Sequence, residues 1–313
     1  MPNDVFFRGK SAETGFRSPE LEKIYRLVLM LSEINRGELN QYLALRGGTA
    51  INLCYQQLPR LSIDIDMVLV RDGDREKMLA DRGHLQRQLP KLAEAQGYKV
   101  DAYLKEYLLD TFQLKYENVF RAPDNIKVEI NYIAGRVPID PFEMRKPHDL
   151  FELDPDPVQT LSVNEVYASK VEALIKRHAA RDLFDVYQLA NTSLVQVSEL
   201  RPRTLFSCCV ELPYDFRSEL GTNPANPITQ KQISDELRPY LRKKAEFDLA
   251  EAKKTVGGYC QELFNLETGH RDFLDNLFDK GVYSPELLFP GKIHLRDHPG
   301  IKWRLQQLSK KAS

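Results

Sequence analysis

Two aspartates stand two residues apart in a short apolar segment, and this pattern constrains the chain more than any other. Residues 63–70 read Ile-Asp-Ile-Asp-Met-Val-Leu-Val, which predicts a strand. Because side chains alternate along a strand, Ser62, Asp64 and Asp66 share one face. Burying two unpaired carboxylates there is costly, and a divalent cation such as Mg²⁺ would remove their repulsion. The alternative is a solvated pair on an edge strand, which leaves the preceding glycines unexplained.

Those glycines stand between two predicted elements. Residues 42–46 predict a strand, and residues 50–58 predict a short helix that Pro59 ends. Gly47 and Gly48 would let the backbone turn tightly and approach a ligand closely, while the N–H groups at the start of the helix would bind a phosphate. A plain tight turn is the alternative interpretation. The turn gains significance because the strand with two aspartates follows after one short helix.

A third carboxylate is predicted on a neighbouring strand. The sequence Lys-Val-Glu-Ile-Asn, residues 127–131, alternates so that Val128 and Ile130 point inward and Glu129 lies on the polar face. Taken alone, this is an ordinary half-buried strand. Together with Asp64 and Asp66, Glu129 would complete a three-carboxylate site for two-metal phosphoryl transfer.

A charged helical face is predicted further along the chain, within residues 170–185. On a helix, Lys170, Arg177 and Arg181 lie on overlapping faces, because their spacings are close to whole turns. The pair Arg181 and Asp182 is interpreted as a turn between two helices. Such a face is commonly just solvated, but a clear apolar stripe leaves the polar side free to face a cleft.

The order of the predicted elements divides the chain into two domains. Residues 1–150 alternate helices with strands, the later strands covering residues 98–104, 111–117 and 126–133, and this predicts a mixed α/β domain. Five prolines within residues 138–157 indicate a linker, and helical patterns dominate from residue 163 onward. We therefore expect a core domain at 1–150 and a mainly helical domain at 151–313.

The charge balance excludes some classes of protein. The 44 basic and 45 acidic residues give a formal net charge of −1, which is unlike a strongly basic nucleic-acid coat protein. The C-terminal tail, residues 292–313, is basic, with a solvated end and a phosphate-contacting patch as the two interpretations. Its cationic side chains are Lys292, Arg296, Lys302, Arg304, Lys310 and Lys311.

Four cysteines without Cys-x-x-Cys spacing, and an N-terminus without the apolar core of a signal peptide, predict reduced thiols and a cytoplasmic location. The longest early apolar run is far shorter than a spanning helix needs, so we expect no membrane association.

Three motifs together resemble the AbiEii/AbiGii toxin family, nucleotidyltransferase-like proteins of abortive-infection and toxin–antitoxin systems that include the MenT toxins. The motifs are Leu-Arg-Gly-Gly-Thr at residues 45–49, Arg-Leu-Ser-Ile-Asp-Ile-Asp at 60–66, and Lys170 with Arg-Asp-Leu-Phe-Asp-Val-Tyr at 181–187. The resemblance covers about residues 20–190. It implies an α/β (α+β) fold, a nucleotidyltransferase-like mixed sheet with flanking helices, followed by a mainly helical C-terminal domain.

The resemblance also implies roles for individual residues. Asp64 and Asp66 would hold Mg²⁺ or Mn²⁺ with an approximate match at Glu129, and Lys170 and Asp182 would be catalytic. The nucleotide would be bound by Gly47, Gly48, Thr49, Arg60 and Ser62.

The expected activity is metal-dependent transfer of an NMP from an NTP to RNA, at the 3′ acceptor end of tRNA, blocking translation and growth until a cognate antitoxin intervenes. The alternatives are nucleotidyl transfer to a protein hydroxyl, and a non-catalytic nucleotide-binding module that acts through a partner.

Overall fold

The computed structural model describes residues 1–104, 108–133 and 137–312, the last four by backbone alone. The chain forms two compact units. The first combines Met1–Leu161 with Arg238–Glu246, and the second combines Ser162–Leu237 with Phe247–Ser313.

A seven-stranded mixed sheet forms the centre of the first unit. Its strands are β1 Leu43–Arg46, β2 Asp64–Leu69, β3 Lys99–Tyr103, β4 Leu109–Glu117, β5 Pro123–Asn131, β6 Glu143–Arg145 and β7 Val158–Thr160. Their order across the sheet is β3-β4-β5-β2-β1-β7-β6. The pairs β2–β5 and β1–β7 are parallel, and the remaining neighbours are antiparallel. The predicted mixed sheet is confirmed, and β1 to β5 lie close to the predicted strand positions.

Helices flank this sheet. They are α1 Asp4–Thr14, α2 Ser18–Arg36, α3 Gly47–Thr49, which continues as a π-helix over Ala50–Tyr55, and α4 Arg75–Ala95. The helix α4 begins where the Asp74 side chain accepts a hydrogen bond from the Lys77 amide, as an N-cap does. Buried apolar residues alternate with half-exposed polar ones along β5, so one face of the sheet is apolar and the other is polar.

A buried ion pair fastens α4 to the apolar face. The Asp110 carboxylate on β4 is fully buried and accepts two hydrogen bonds from the Arg82 guanidinium, at 3.1 and 2.5 Å. Gln86 and the Tyr132 hydroxyl donate to the same carboxylate at 3.0 and 2.7 Å. A buried charge requires such partners, since leaving it unpaired is expensive. Tyr132 stays protonated, because burial and the Asp110 charge raise its pKa well above the ordinary value.

The second unit is helical in its long elements, as predicted. Its helices are α5 Val163–Arg177, α6 Ala180–Ala190, α7 Val197–Glu211, α8 Gln230–Gln232, α9 Leu249–Leu263, α10 Thr268–Lys280 and α11 Pro299–Ala312. The helix α5 begins at Ser162, whose hydroxyl accepts from the Glu165 amide at 3.2 Å, and it packs against α7.

The predicted turn at Arg181 and Asp182 is wrong. The break between α5 and α6 lies earlier, at His178, which adopts the left-handed conformation with φ of 47°. The His178 amide donates to the Leu174 carbonyl at 3.1 Å, which closes α5. Asp182 therefore lies in the first turn of α6, where a negative charge is favourable to the helix dipole.

The proline-rich segment predicted as a linker contains strands. Within residues 138–157 lies β6, and β7 follows immediately; together they extend the sheet beyond β1. The predicted boundary after residue 150 would separate β7 from its sheet. The compact unit ends at Leu161 instead.

A later segment of the chain also belongs to the first unit. The backbone of Tyr240 accepts a hydrogen bond from the Leu61 amide at 2.9 Å, and the Lys243 amide donates to Gly15 at 2.8 Å. The residues that precede β2 are thus held in place by a segment that lies far along the sequence.

The C-terminal tail was predicted to be either a solvated end or a phosphate-contacting patch, and neither interpretation holds for Arg304. Arg304 is 2% exposed, and its guanidinium donates to the Cys209 carbonyl at 3.0 Å. The reason is that α11 packs against α7, which places this side chain in the interior. Lys302 pairs with Asp297 at 2.7 Å. Arg296 is exposed and Lys292 is partly exposed, whereas Lys310 and Lys311 lie outside the side chains that the structure describes.

Among the described residues, none of the helices has both the length and the apolar character needed to cross a bilayer.

Substituting Asp110→Asn tests the buried ion pair. We expect it to lower the free energy of unfolding by about 3–5 kcal/mol, because the substitution breaks the buried ion pair between Asp110 and Arg82. Urea denaturation followed by circular dichroism measures the loss. The matched control is Asp101→Asn, which removes an exposed partner of Lys115 and should leave the midpoint almost unchanged. Equal midpoints for both variants would contradict the anchoring role of the pair.

Candidate active site

The two aspartates of β2 lie on one half-exposed face, as predicted. Asp64 and Asp66 are partly exposed, whereas Ile65 between them is fully buried. In the parallel β2–β5 pair, Asp64 is the register partner of Lys127, and Asp66 is the register partner of Glu129. Register partners in adjacent strands share a face, so these four charged side chains form one cluster on the polar side of the sheet.

The glycine turn lies directly against this cluster. Gly47 has φ of 70°, in the left-handed region that favours glycine, and a Cβ there would collide with the Asp66 carboxylate. A Cβ on Gly48 would lie 2.8 Å from the Ser62 hydroxyl and 2.9 Å from the Arg60 guanidinium. The two glycines therefore allow the backbone at the start of α3 to approach Asp66 and Ser62 closely.

Thr49 fastens the turn to the start of β2. Its hydroxyl donates to the Asp64 carbonyl and lies 3.1 Å from the Ser62 hydroxyl, and its side chain is fully buried. Asn52 donates to the Gly48 carbonyl at 2.8 Å. The hydroxyl of Thr49 is occupied in holding the turn. A contact between Thr49 and phosphate stays a prediction. The donor in that contact would be the backbone amide of Thr49.

Arg60 supports the same turn from inside. It is 2% exposed, its guanidinium donates to the Leu61 carbonyl at 2.9 Å, and it lies beneath Gly48. Ser62 is 6% exposed. These positions explain why both residues belong to the motif, while their direct contact with nucleotide stays a prediction.

Glu129 is bound by neighbouring side chains. Lys127 Nζ lies 3.0 Å from one of its carboxylate oxygens, and the Thr111 hydroxyl on β4 lies 3.4 Å from the other. Burial lowers the pKa of Lys127, but the charges of Asp64, Glu129 and Asp66 outweigh that effect and raise it above its ordinary value. Lys127 is therefore a stable cation in the middle of the acidic cluster.

The donor set fits a divalent cation at Asp64 and Asp66. Mg²⁺ is commonly bound by one or two carboxylates together with substrate phosphates, and Asp64 and Asp66 would supply the two carboxylates. Within the described ranges, no three His, Cys, Asp or Glu side chains converge closely enough to hold a metal. Glu129 as a third ligand is thus unsupported by the geometry and stays a prediction.

Lys170 and Asp182 contact each other in the second unit. Lys170 Nζ donates to the Asp182 carboxylate at 2.9 Å and lies 3.2 Å from Asp185. Arg177 also donates to Asp182, at 2.6 and 2.9 Å. The predicted shared face is therefore confirmed for Lys170 and Arg177, whose side chains converge on one carboxylate. It is wrong for Arg181, which lies on α6, beyond the break at His178.

The pKa of Asp182 is held well below its ordinary value of 3.8. Burial of this fully buried group raises the pKa, but Lys170 and Arg177 outweigh it and lower it strongly. A carboxyl group with so low a pKa is a weak proton acceptor near neutral pH. The geometry therefore favours a positioning role for Asp182, which holds Lys170 and Arg177 in place. It does not favour Asp182 as a general base.

Sequence reasoning missed Lys127. The signal was available, because Lys127 precedes Glu129 by two residues on the same predicted strand and so shares its face. Thr111 could not have been found in this way, since its contact with Glu129 depends on the register between β4 and β5.

Comparisons with known proteins show the family and the fold of the chain. The model of a family described as "Nucleotidyl transferase AbiEii toxin, Type IV TA system" matches residues 29–254. The chain belongs to the AbiEii nucleotidyltransferase toxin family, and it is an enzyme of that class.

Among solved structures, the chain is similar to MenT4, a nucleotidyltransferase toxin from Mycobacterium tuberculosis H37Rv. The TM-score is 0.62 at 13% sequence identity, over 98% of this chain and 99% of that one. The likeness confirms the fold. A comparison with curated protein sequences finds no match.

Substituting Gly47→Ala tests the close approach of the turn to Asp66. Both Gly47 and Gly97 have positive φ, so alanine at either position should cost about 1–2 kcal/mol of stability. A Cβ at Gly97 meets open space, whereas at Gly47 it displaces the Asp66 carboxylate. We expect nucleotidyl transfer to be lost in Gly47→Ala and retained in Gly97→Ala. Full activity in both variants would show that the approach is unimportant.

The depressed pKa of Asp182 predicts a specific pH dependence of stability. The stabilisation is complete above the unfolded pKa, near 4, and is lost as the pH falls through the lower folded pKa. At pH 7, Asp182→Asn should lower the free energy of unfolding by about 3–5 kcal/mol, and the difference should shrink below pH 4. Urea denaturation at a series of pH values measures it. A difference independent of pH would contradict the ionised pair.

Proposed function

We propose that this nucleotidyltransferase transfers an NMP from an NTP to the 3′ acceptor end of tRNA, with a divalent cation held by Asp64 and Asp66. The supporting observation is the meeting of two half-exposed carboxylates with a glycine turn that closely approaches one of them. The choice of tRNA comes from the family resemblance. Blocking the acceptor end would stop translation and growth.

Each candidate site residue that the next sentences name has a defined task in this proposal. Asp64 and Asp66 orient the cation, Mg²⁺ or Mn²⁺, which when bound supplies positive charge to the phosphates during transfer. The backbone N–H groups at the start of the helical run that begins at Gly47 bind phosphate oxygens, because such groups have no intrahelical acceptor. Thr49, Arg60 and Ser62 hold that turn in shape by their buried contacts.

Lys170 and Asp182 lie in the second unit. The family resemblance predicts that both are catalytic. Asp182 fixes the position of the Lys170 ammonium by a charged hydrogen bond of 2.9 Å, and the second partner Arg177 keeps Asp182 ionised.

The proposal includes a cognate antitoxin as partner, because the family is one of toxin–antitoxin systems. Membership in a nucleotidyltransferase family favours catalysis over the binding-module alternative. Transfer to a protein hydroxyl remains as an outcome of the test below.

Labelling experiments test the proposal directly. The purified protein is incubated with Mg²⁺ and each NTP labelled at the α-phosphate, first with total cell RNA and then with RNA-free cell protein. We expect label on RNA of tRNA size, and its removal by 3′-end digestion. Label on protein alone would replace the RNA acceptor with a protein hydroxyl.

The metal-site residues are tested in the same assay. Asp64→Asn and Asp66→Asn should fold normally and lower the labelling rate by at least about 100-fold, as removal of preorganised charge stabilisation does in other enzymes. Asp101→Asn is the matched control, since Asp101 lies on the same face of the sheet but pairs with Lys115 on β4. Unchanged labelling by Asp64→Asn or Asp66→Asn would show that the cation does not bind there.

A further inference from the structure

Lys127 occupies an unusual position for a cation. It is the register partner of Asp64, lies 3.0 Å from Glu129, and carries a side chain that is 32% exposed on the polar face of the sheet. Three carboxylates therefore surround one ammonium group in a cluster where the sequence alone predicted two metal ions.

The charges of this cluster favour one metal ion over two. The side chains of Asp64, Asp66 and Glu129 carry three negative charges. The Lys127 ammonium on β5 and the guanidinium of Arg46, which is the register partner of Asp66 on β1, carry two positive charges. One divalent cation then changes the formal charge of the cluster from −1 to +1, and a second would raise it to +3.

The position of Lys127 is fixed by the sheet. Because β5 pairs in parallel with β2, the Lys127 backbone cannot move away from Asp64 without breaking the pairing of the two strands. Glu129 is held as well, since Lys127 and Thr111 each contact one of its carboxylate oxygens. A metal ion shared by Glu129 and Asp66 would have to displace the ammonium or lie beside it, and two cations at that distance repel each other.

We propose that the Lys127 ammonium takes the place of a second metal ion, so that the enzyme binds a single divalent cation at Asp64 and Asp66, and Glu129 serves as the counter-ion of Lys127. The inference rests on the proposed function for the cation site at the two aspartates. It differs from the two-metal arrangement in assigning a permanent, protein-supplied charge to the second position.

This arrangement has a chemical consequence. A lysine ammonium is a compact point charge that needs no coordination geometry and cannot be removed by a chelator. It would stabilise negative charge on the phosphates without exchanging with solution. The concentration of free Mg²⁺ would then govern the occupancy of one site rather than two.

The number of bound metal ions tests the inference. Metal-free protein is titrated with Mn²⁺ alone, and free Mn²⁺ is measured by its electron paramagnetic resonance signal. We expect the parent to bind one Mn²⁺ per chain. Lys127→Ala should bind two, because Glu129 becomes available as a ligand, and the double variant Lys127→Ala with Glu129→Gln should return to one. Lys127→Arg, which keeps the charge, is the matched control and should bind one.

Two results would overturn the inference. One is a parent protein that binds two Mn²⁺ per chain in the cluster, with the second ion lost in Glu129→Gln. The other is a folded Lys127→Ala variant that binds one Mn²⁺ with the parent's affinity. If Lys127→Ala does not fold, the number of Mn²⁺ ions bound by Lys127→Gln and by the parent protein decides whether the inference holds.

The failure of the proposed function is distinguishable from these results. If the double variant Asp64→Asn with Asp66→Asn binds Mn²⁺ as the parent does, or if the parent binds none, the cation site itself is wrong, and the role of Lys127 falls with it. If that double variant abolishes binding while Lys127→Ala leaves it at one ion, the cation site stands and the inference alone is wrong.

Discussion

The repulsion between Asp64 and Asp66 shapes the surroundings of the candidate site. Two carboxylates on one face of a strand need positive charge or water, and in this protein they receive partial exposure and the nearby ammonium of Lys127. The glycines at 47 and 48 exist because the backbone passes so close to Asp66 and Ser62 that side chains would not fit. The buried hydroxyl of Thr49 then fixes the turn to the strand.

The position of β2 depends on contacts at both faces of the sheet and on contacts with a segment that is remote in sequence. The apolar face carries the buried pair between Arg82 and Asp110, which fastens α4 to β4. The hydrogen bond from Leu61 to Tyr240 holds the approach to β2 by a segment that is nearly 180 residues away along the chain. A site formed by half-exposed charges is thus held by interactions that are almost entirely buried, as a preorganised charge cluster requires.

Much of this arrangement could be predicted from local sequence patterns. Alternation placed Asp64 and Asp66 together, and it placed Glu129 on the polar face of the next strand, where the register confirms it opposite Asp66. Alternation would equally have placed Lys127 there. The strand β7 was missed because a run of only three residues after several prolines carries no periodic signal.

Other features could not be predicted because they depend on distant contacts. The burial of Arg304 results from the packing of α11 on α7, and no property of the basic tail itself indicates it. The end of α5 at His178 lacks the glycine that commonly marks a left-handed cap, so sequence alone suggested a later break. Tertiary packing thus explains the position of Arg304, whereas the break at His178 is a cap without its usual residue type.

The proposed function depends on the binding of the reaction's divalent cation by Asp64 and Asp66. Anomalous X-ray diffraction from crystals grown with Mn²⁺ and an NTP analogue that cannot be cleaved between the α- and β-phosphates tests it most directly. We expect one anomalous peak, coordinated by carboxylate oxygens of Asp64 and Asp66 and by phosphate oxygens of the analogue. A bound analogue whose manganese peak lies away from both aspartates would contradict it.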